Sequence, residues 1–164
     1  MDMAKTRTVA GAGTIATAAL VALFGNQPFT EWVDRRALDT PDTAWEFFLR
    51  TLTWPRWAFG PADNSSEAMR RLLADDLRAI LLIAFVALIL AWVSKAVTGG
   101  AGGFLLGWSA VIFASALAAF LTSFIISNPS LLGALQVAGA GSAYGLFTGW
   151  IVGAVTAGAK GAGS

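Results

Sequence analysis

Apolar residues fall into four long runs, parted by two short turns and one aromatic, charged stretch. The first run, residues 8–24, follows a head carrying Lys5 and Arg7. It lies near the lower end of the roughly 17–25 residues that a tilted helix needs to cross hydrocarbon. A basic head before a short apolar run also fits a cleaved signal peptide. No clean small-x-small cleavage site follows, so the run is read as an anchor. The second run, residues 79–97, is the apolar body of a helix starting near residue 65. Asn64 followed by Glu67 has the form of a capping box, and the turns between carry charge. Residues 103–126 and 131–157 supply the last two runs. Their turns are residues 98–102, rich in glycine, and Ser127-Asn128-Pro129-Ser130, where proline stops the helix. This pattern predicts an all-α membrane protein, a single membrane domain over residues 1–164. Four transmembrane helices are expected, with an aromatic-rich extramembrane segment between helices 1 and 2.

That segment, residues 25–67, holds Trp32, Trp45, Trp54 and Trp57, Phe29, Phe47, Phe48 and Phe59, and four of the five prolines. Its aromatics exclude a disordered linker. Thr40 as a cap with Pro41 in the first turn predicts one short helix through Ala44, Trp45, Phe48, Leu49 and Leu52. Asp42, Glu46 and Arg50 beside aromatics suit the headgroup boundary, where Trp is at home. Trp32, Trp45, Phe48, Trp54 and Trp57 are the expected interfacial or partner-contacting aromatics.

Composition narrows the chemistry. The chain has no Cys and no His, which removes disulfides, thiolate chemistry, zinc sites and His-ligated haem. A net charge of +1 gives no general attraction to nucleic acid. Between Lys95 and Lys160 there is no Asp, Glu, Lys or Arg at all. A chain of 164 residues cannot bury such a stretch in a soluble core, so lipid is the simpler solvent. Lys5, Arg7, Lys95 and Lys160 fall on one side of a four-span arrangement. That places the termini in the cytoplasm of a plasma (inner) membrane, although five arginines near spans one and two weigh against it.

Gly141, Gly145, Gly149 and Gly153 recur every four residues, forming a slowly winding stripe on the last helix. Gly99, Gly103 and Gly107 form a matching edge on the third, beside a row of Ala110, Ala114 and Ala118. Lipid tails give no hydrophobic drive between helices, so bare backbone that permits close approach marks a packing seam. The plain reading is a hairpin of spans three and four; the functional one is a seam that accepts a partner's helix. Polar residues in these spans are Ser109, Ser115, Thr122, Ser123, Gln136, Ser142, Tyr144, Thr148 and Thr156. None is ionisable near neutrality, which counts against a proton or ion path.

No phosphate loop, nucleophile elbow or metal-ligand spacing occurs. Asp75 and Asp76 are the only adjacent carboxylates, and Arg71, Asp75 and Arg78 are spaced to pair along a helix end. Asn64-Ser65-Ser66 matches a glycosylation triplet, a frequent chance match. The expectation is therefore no enzyme, no cofactor and no metal.

The Ala/Gly-rich spans and the Gly161–Gly163 tail resemble small membrane proteins of high-GC actinobacterial genomes. The resemblance is one of style over the whole chain and carries no functional residue across. It implies a non-catalytic accessory subunit of a large membrane complex: an Mce-type lipid importer, positioning the permease, ahead of the respiratory supercomplex. Expected partners are other membrane subunits and the bilayer, with no nucleic acid. The competing readings are a small self-assembling channel or transporter, and a lipid or cell-wall enzyme.

Overall fold

A computed structural model describes residues 2–39, 43–127 and 129–161, and its regular structure there is entirely helical. Thr40, Pro41, Asp42, Asn128 and residues 162–164 lie outside the described set, as do the side chains of Lys5 and Arg7. In chain order the helices are α1 (Asp2–Phe24), α2 (Gln27–Asp39), α3 (Ala44–Leu52), α4 (Ser66–Val93), α5 (Gly99–Ile126) and α6 (Leu131–Gly161).

α1, α4, α5 and α6 form an up-and-down bundle in which α1 packs on α4 and α6, and α5 packs on the same two from the opposite corner. Leu82, Val86 and Leu90 of α4, Leu106, Val111 and Ala114 of α5, Tyr144 and Val152 of α6, and Leu20 and Val21 of α1 meet in its core. Bulky residues such as Ile15, Ile80, Leu88, Phe113, Leu132 and Leu146 point outward. So many bulky apolar side chains on the outer surface are unusual for a bundle in water, and hydrocarbon permits them.

Two helices, α4 and α5, are each 28 residues long and apolar enough to cross a membrane. At 1.5 Å per residue each extends about 42 Å. Val9–Phe24 of α1 is too short for a span by itself, and with Gln27–Arg36 of α2 it would make a third only as a single span bent by 56°. α6 has the length, but eight of its 31 residues are glycine, which dilutes its hydropathy. The expectation of four spans is thus met at two helices.

The bend after α1 is made by one side chain. Asn26 donates through Nδ2 to the carbonyls of Ala22 and Leu23 at 2.9 and 2.8 Å, closing α1. Its Oδ1 accepts from the amide of Phe29 at 2.9 Å, opening α2 with Pro28 in the first turn. α2 was not expected; the reading of residues 25–67 allowed one short helix there. That helix, α3, is present, capped by Thr43 Oγ1, which accepts from Glu46 N at 3.2 Å. Val33 of α2 and Leu49 and Leu52 of α3 share a second small core with Phe24, Phe29 and Phe48.

Three boundaries differ from expectation. Ser65, not Asn64, caps α4: its Oγ accepts from Ala68 N at 3.1 Å. α4 stops at Val93 rather than continuing to residue 97, and Lys160 Nζ donates to the end carbonyl of Ser94 at 2.9 Å. Residues 99–102, expected as a turn, already form the first turn of α5. Gly99 enters it at φ +71°, a conformation that only glycine adopts without strain.

Candidate functional site: a glycine seam and an aromatic cap

The glycine stripe of α6 lies against α5 of the same chain. A Cβ at Gly145 would fall 2.4 Å from Ile112 Cα, and one at Gly153 would fall 2.7 Å from the Phe104 carbonyl oxygen. At Gly141 it would meet Ala119 Cβ at 2.5 Å, and at Gly149 the Trp108 ring at 2.8 Å. From the other side, Gly103 faces the Thr156 carbonyl, and Gly107 faces Gly153 Cα at 2.9 Å. Ala110, Ala114 and Ala118 are fully buried. Gly99 stands apart, with open space where its side chain would be. The helices are also tied by Thr156 Oγ1, which donates toward the Gly103 carbonyl at 2.7 Å, and by Trp108 Nε1, which donates to the Leu146 carbonyl at 3.1 Å.

One seam residue escaped the sequence reading. Gly13 of α1 lies where a Cβ would meet Leu90 Cδ1 at 2.4 Å and Thr156 Cγ2 at 2.8 Å, so it admits α1 to the bundle. Its one fellow glycine in α1, Gly11, is two residues away and meets open space, so no helical period reveals it.

Apart from Thr156, the hydroxyls of Ser115 on α5 and of Thr148 and Ser142 on α6 are turned onto their own helices. Ser115 donates to Ile112 O at 3.0 Å, Thr148 to Tyr144 O at 2.7 Å and Ser142 to Gly139 O at 2.7 Å. Such back-bonding satisfies a hydroxyl without a partner helix or water. Gln136 is exposed on α6.

At the opposite end of the bundle from Lys160, the loop after α3 folds over the helices. Gly25 allows this: a Cβ there would fall 2.3 Å from the Pro55 carbonyl oxygen, and the Gly25 carbonyl accepts from Trp57 N at 2.8 Å. Trp54 stacks on the buried Tyr144 of α6 with ring centroids 5.3 Å apart. Arg78 of α4 lies over the Trp54 ring at 5.3 Å, pairs with Asp75 at 3.0 Å and reaches Thr122 Oγ1 of α5 at 3.4 Å. Trp57 Nε1 donates to the Val21 carbonyl of α1 at 3.1 Å, and Asp76 Oδ1 accepts from Ala58 N at 3.1 Å. Residues 54–58 are thus fastened to α1, α4 and α6, and Arg78 carries the cluster on to α5.

Of the expected helix-end pairs, Asp75 with Arg78 is present. Arg71 instead turns back to Glu67, the other carboxylate one helical turn away, and both are exposed. The remaining expected aromatics divide by role. Trp45 stacks on Phe48 at 5.8 Å, and Phe48 packs toward the second core. Trp32 is flanked by Phe29 and lies beneath the Arg36 guanidinium at 5.4 Å. Phe47, not singled out before, reaches Phe147 of α6 edge-on at 5.4 Å.

A polar cavity of about 540 Å³ opens between α2, the loop of residues 56–65 and the first turns of α4. Its lining carries five carboxylates and two guanidiniums. The Asp63 carboxyl, at its rim, is held below its ordinary pKa by hydrogen bonds from the hydroxyl and amide of Ser65. Among the described residues no three potential ligands converge as a metal site would require. Asn64, Ser65 and Ser66 lie at this exposed rim, where Ser65 is occupied as the α4 cap. Compared with known proteins, the chain matches no family model, no curated sequence and no solved structure.

Proposed function

We propose that this chain is a four-span, non-catalytic accessory subunit of a multi-subunit membrane complex, with a lipid-transport assembly as its setting. One observation carries the reading. The small-residue seams are filled by the chain's own helices, whereas the cap presents aromatics that stay largely exposed, including Trp45 (57% exposed), Phe47 (56%) and Phe59 (93%). Contacts open to a partner therefore lie at the cap and on the outer bundle face, where Trp and Phe make strong anchors. α1 and α6 complete the four spans on this reading, their glycines and hydroxyls packed inward.

Lys5 and Arg7 ahead of α1 favour an inward placement of both termini, because the first helix usually sets orientation, although a plain count of bases runs the other way. Residues 25–78 carry nine acids and seven arginines, whereas the two ends and the α4–α5 turn carry four bases and Asp2. A self-assembled pore is the weaker reading, because the glycine face it would use is already covered by α5.

Purification from native membranes in mild detergent tests the proposal. Stoichiometric recovery with unrelated membrane subunits is expected. A homogeneous homo-oligomer that conducts ions in liposomes overturns it. Because the chain has no cysteine, Ser65→Cys and Lys95→Cys report orientation cleanly. A membrane-impermeant maleimide should label the first from outside and the second only after permeabilisation.

A further inference from the structure

A second cavity, about 380 Å³, runs along the outside of the bundle between α1 and α4 at the cap end. That volume lies within the roughly 300–1,000 Å³ typical of small-ligand sites. Its floor is made of small residues, Ala18 and Ala22 from α1 and Ala79 from α4, with Ile80 and Ile83 as one wall. Loop residues 57–59 close its upper end. They are held there from both sides, Trp57 by the Val21 carbonyl of α1 and Ala58 by the Asp76 carboxylate of α4. Phe59 stands edge-on to Trp57 at 5.2 Å and is otherwise 93% exposed.

The groove is apolar for most of its length and acidic at one point, its mouth. Asp76 lines it, immediately before the apolar body of α4 begins at Ala79. Among the described residues no Lys or Arg pairs with Asp76; its hydrogen bond is to a backbone amide. The polar cavity across the Trp57–Ala58 wall is no source of positive charge. Its two guanidiniums are engaged, Arg56 with Asp34 at 3.8 Å and Arg71 with Glu67.

We propose that this groove holds one acyl chain of an aminophospholipid from the surrounding bilayer, with the primary ammonium of an ethanolamine-type headgroup donating to Asp76. The proposal rests on the membrane reading above. Three features select this occupant. The trough of alanines has the form of a hydrocarbon chain's path beside a helix pair, and the exposed Phe59 would lie over it at headgroup depth. An anionic headgroup would meet an uncompensated carboxylate. A trimethylammonium carries a charge but no N–H, whereas a primary ammonium brings three donors to a charge-assisted bond.

Native mass spectrometry of the detergent-purified chain tests this, using ethanolamine, choline and glycerol phospholipids with identical acyl chains. One ethanolamine lipid should be retained, with about tenfold preference over the choline lipid. Ala22→Phe fills the trough from an exposed position and should abolish retention, with helical content unchanged by circular dichroism. Ala22→Leu serves if the larger side chain disturbs folding. Asp76→Asn keeps an acceptor for the Ala58 amide and should erase the headgroup preference while acyl binding persists. Equal retention of all three lipids by the unaltered chain overturns the proposal, as does retention unaffected by filling the trough. Extraction of native membranes at alkaline pH separates this from failure of the membrane reading. A chain that stays in the pellet but shows no preference sinks the groove alone; a chain released to the supernatant sinks both.

Discussion

The α5–α6 seam and the cap around Trp54 solve the same problem by opposite means. In the seam, side chains are removed until backbone meets backbone, and cohesion comes from many short contacts of little individual strength. In the cap, two of the largest side chains, Trp54 and Tyr144, are stacked, and one guanidinium covers what they leave open. The seam has no slack, because any added atom must push a helix away. The cap has slack but few members, so each carries a larger share. Rigidity in the first comes from geometry and in the second from a small number of specific bonds.

Substitution should expose this difference in graded steps. Gly145→Leu brings its first added carbon 2.4 Å from Ile112 Cα, and backbone cannot yield as a flexible side chain would. Its cost should exceed the about 1–3 kcal/mol of ordinary overpacking. Thermal unfolding in detergent should show loss of the cooperative transition; an unchanged melting temperature would mean that the seam is not a structural contact. Arg78→Met keeps an extended apolar stem but leaves Asp75 without its guanidinium. A loss of about 2 kcal/mol is expected, below that of a fully buried pair because both side chains retain some solvent contact. Arg78→Lys should recover only part of it, since an ammonium lacks the flat face that covers Trp54. Chemical denaturation followed by Trp fluorescence reads both.

Thr156→Val is similar in shape and removes the hydroxyl shared between the Gly103 carbonyl of α5 and the Val152 and Gly153 carbonyls of α6, for a loss of about 0.6 kcal/mol. A further effect of similar size has the opposite sign. Gly139 is on the same helix as the seam but has open space around it. Gly139→Ala should stabilise by about 0.5–1 kcal/mol through backbone entropy alone. If it destabilises instead, that surface is in contact with something in the assembled state.

The long helices were legible because their apolar runs exceed anything a small soluble core can bury. The four-residue glycine spacing was legible as a seam, but spacing on one helix does not say which neighbour fills it. α2 was missed for a definite reason. Pro28 reads as a breaker in isolation, yet in the first helical turn it costs no hydrogen bond. The Arg71 error was a choice between two carboxylates, Glu67 and Asp75, at equal sequence distance on either side. No local rule could have joined Arg78 to Trp54 or Asp76 to Ala58, since these contacts exist only once the loop has folded back over Gly25.

Asn26 has a consequence of its own. Its amide group finishes one helix with its nitrogen and starts the next with its oxygen, so the corner between them is encoded in a single planar group. Aspartate offers the oxygen alone, and leucine neither, so neither replacement reproduces the corner. The chain therefore leaves the bundle at a set heading rather than on a swivel, and whatever docks on α2 and α3 meets a surface whose tilt has already been decided.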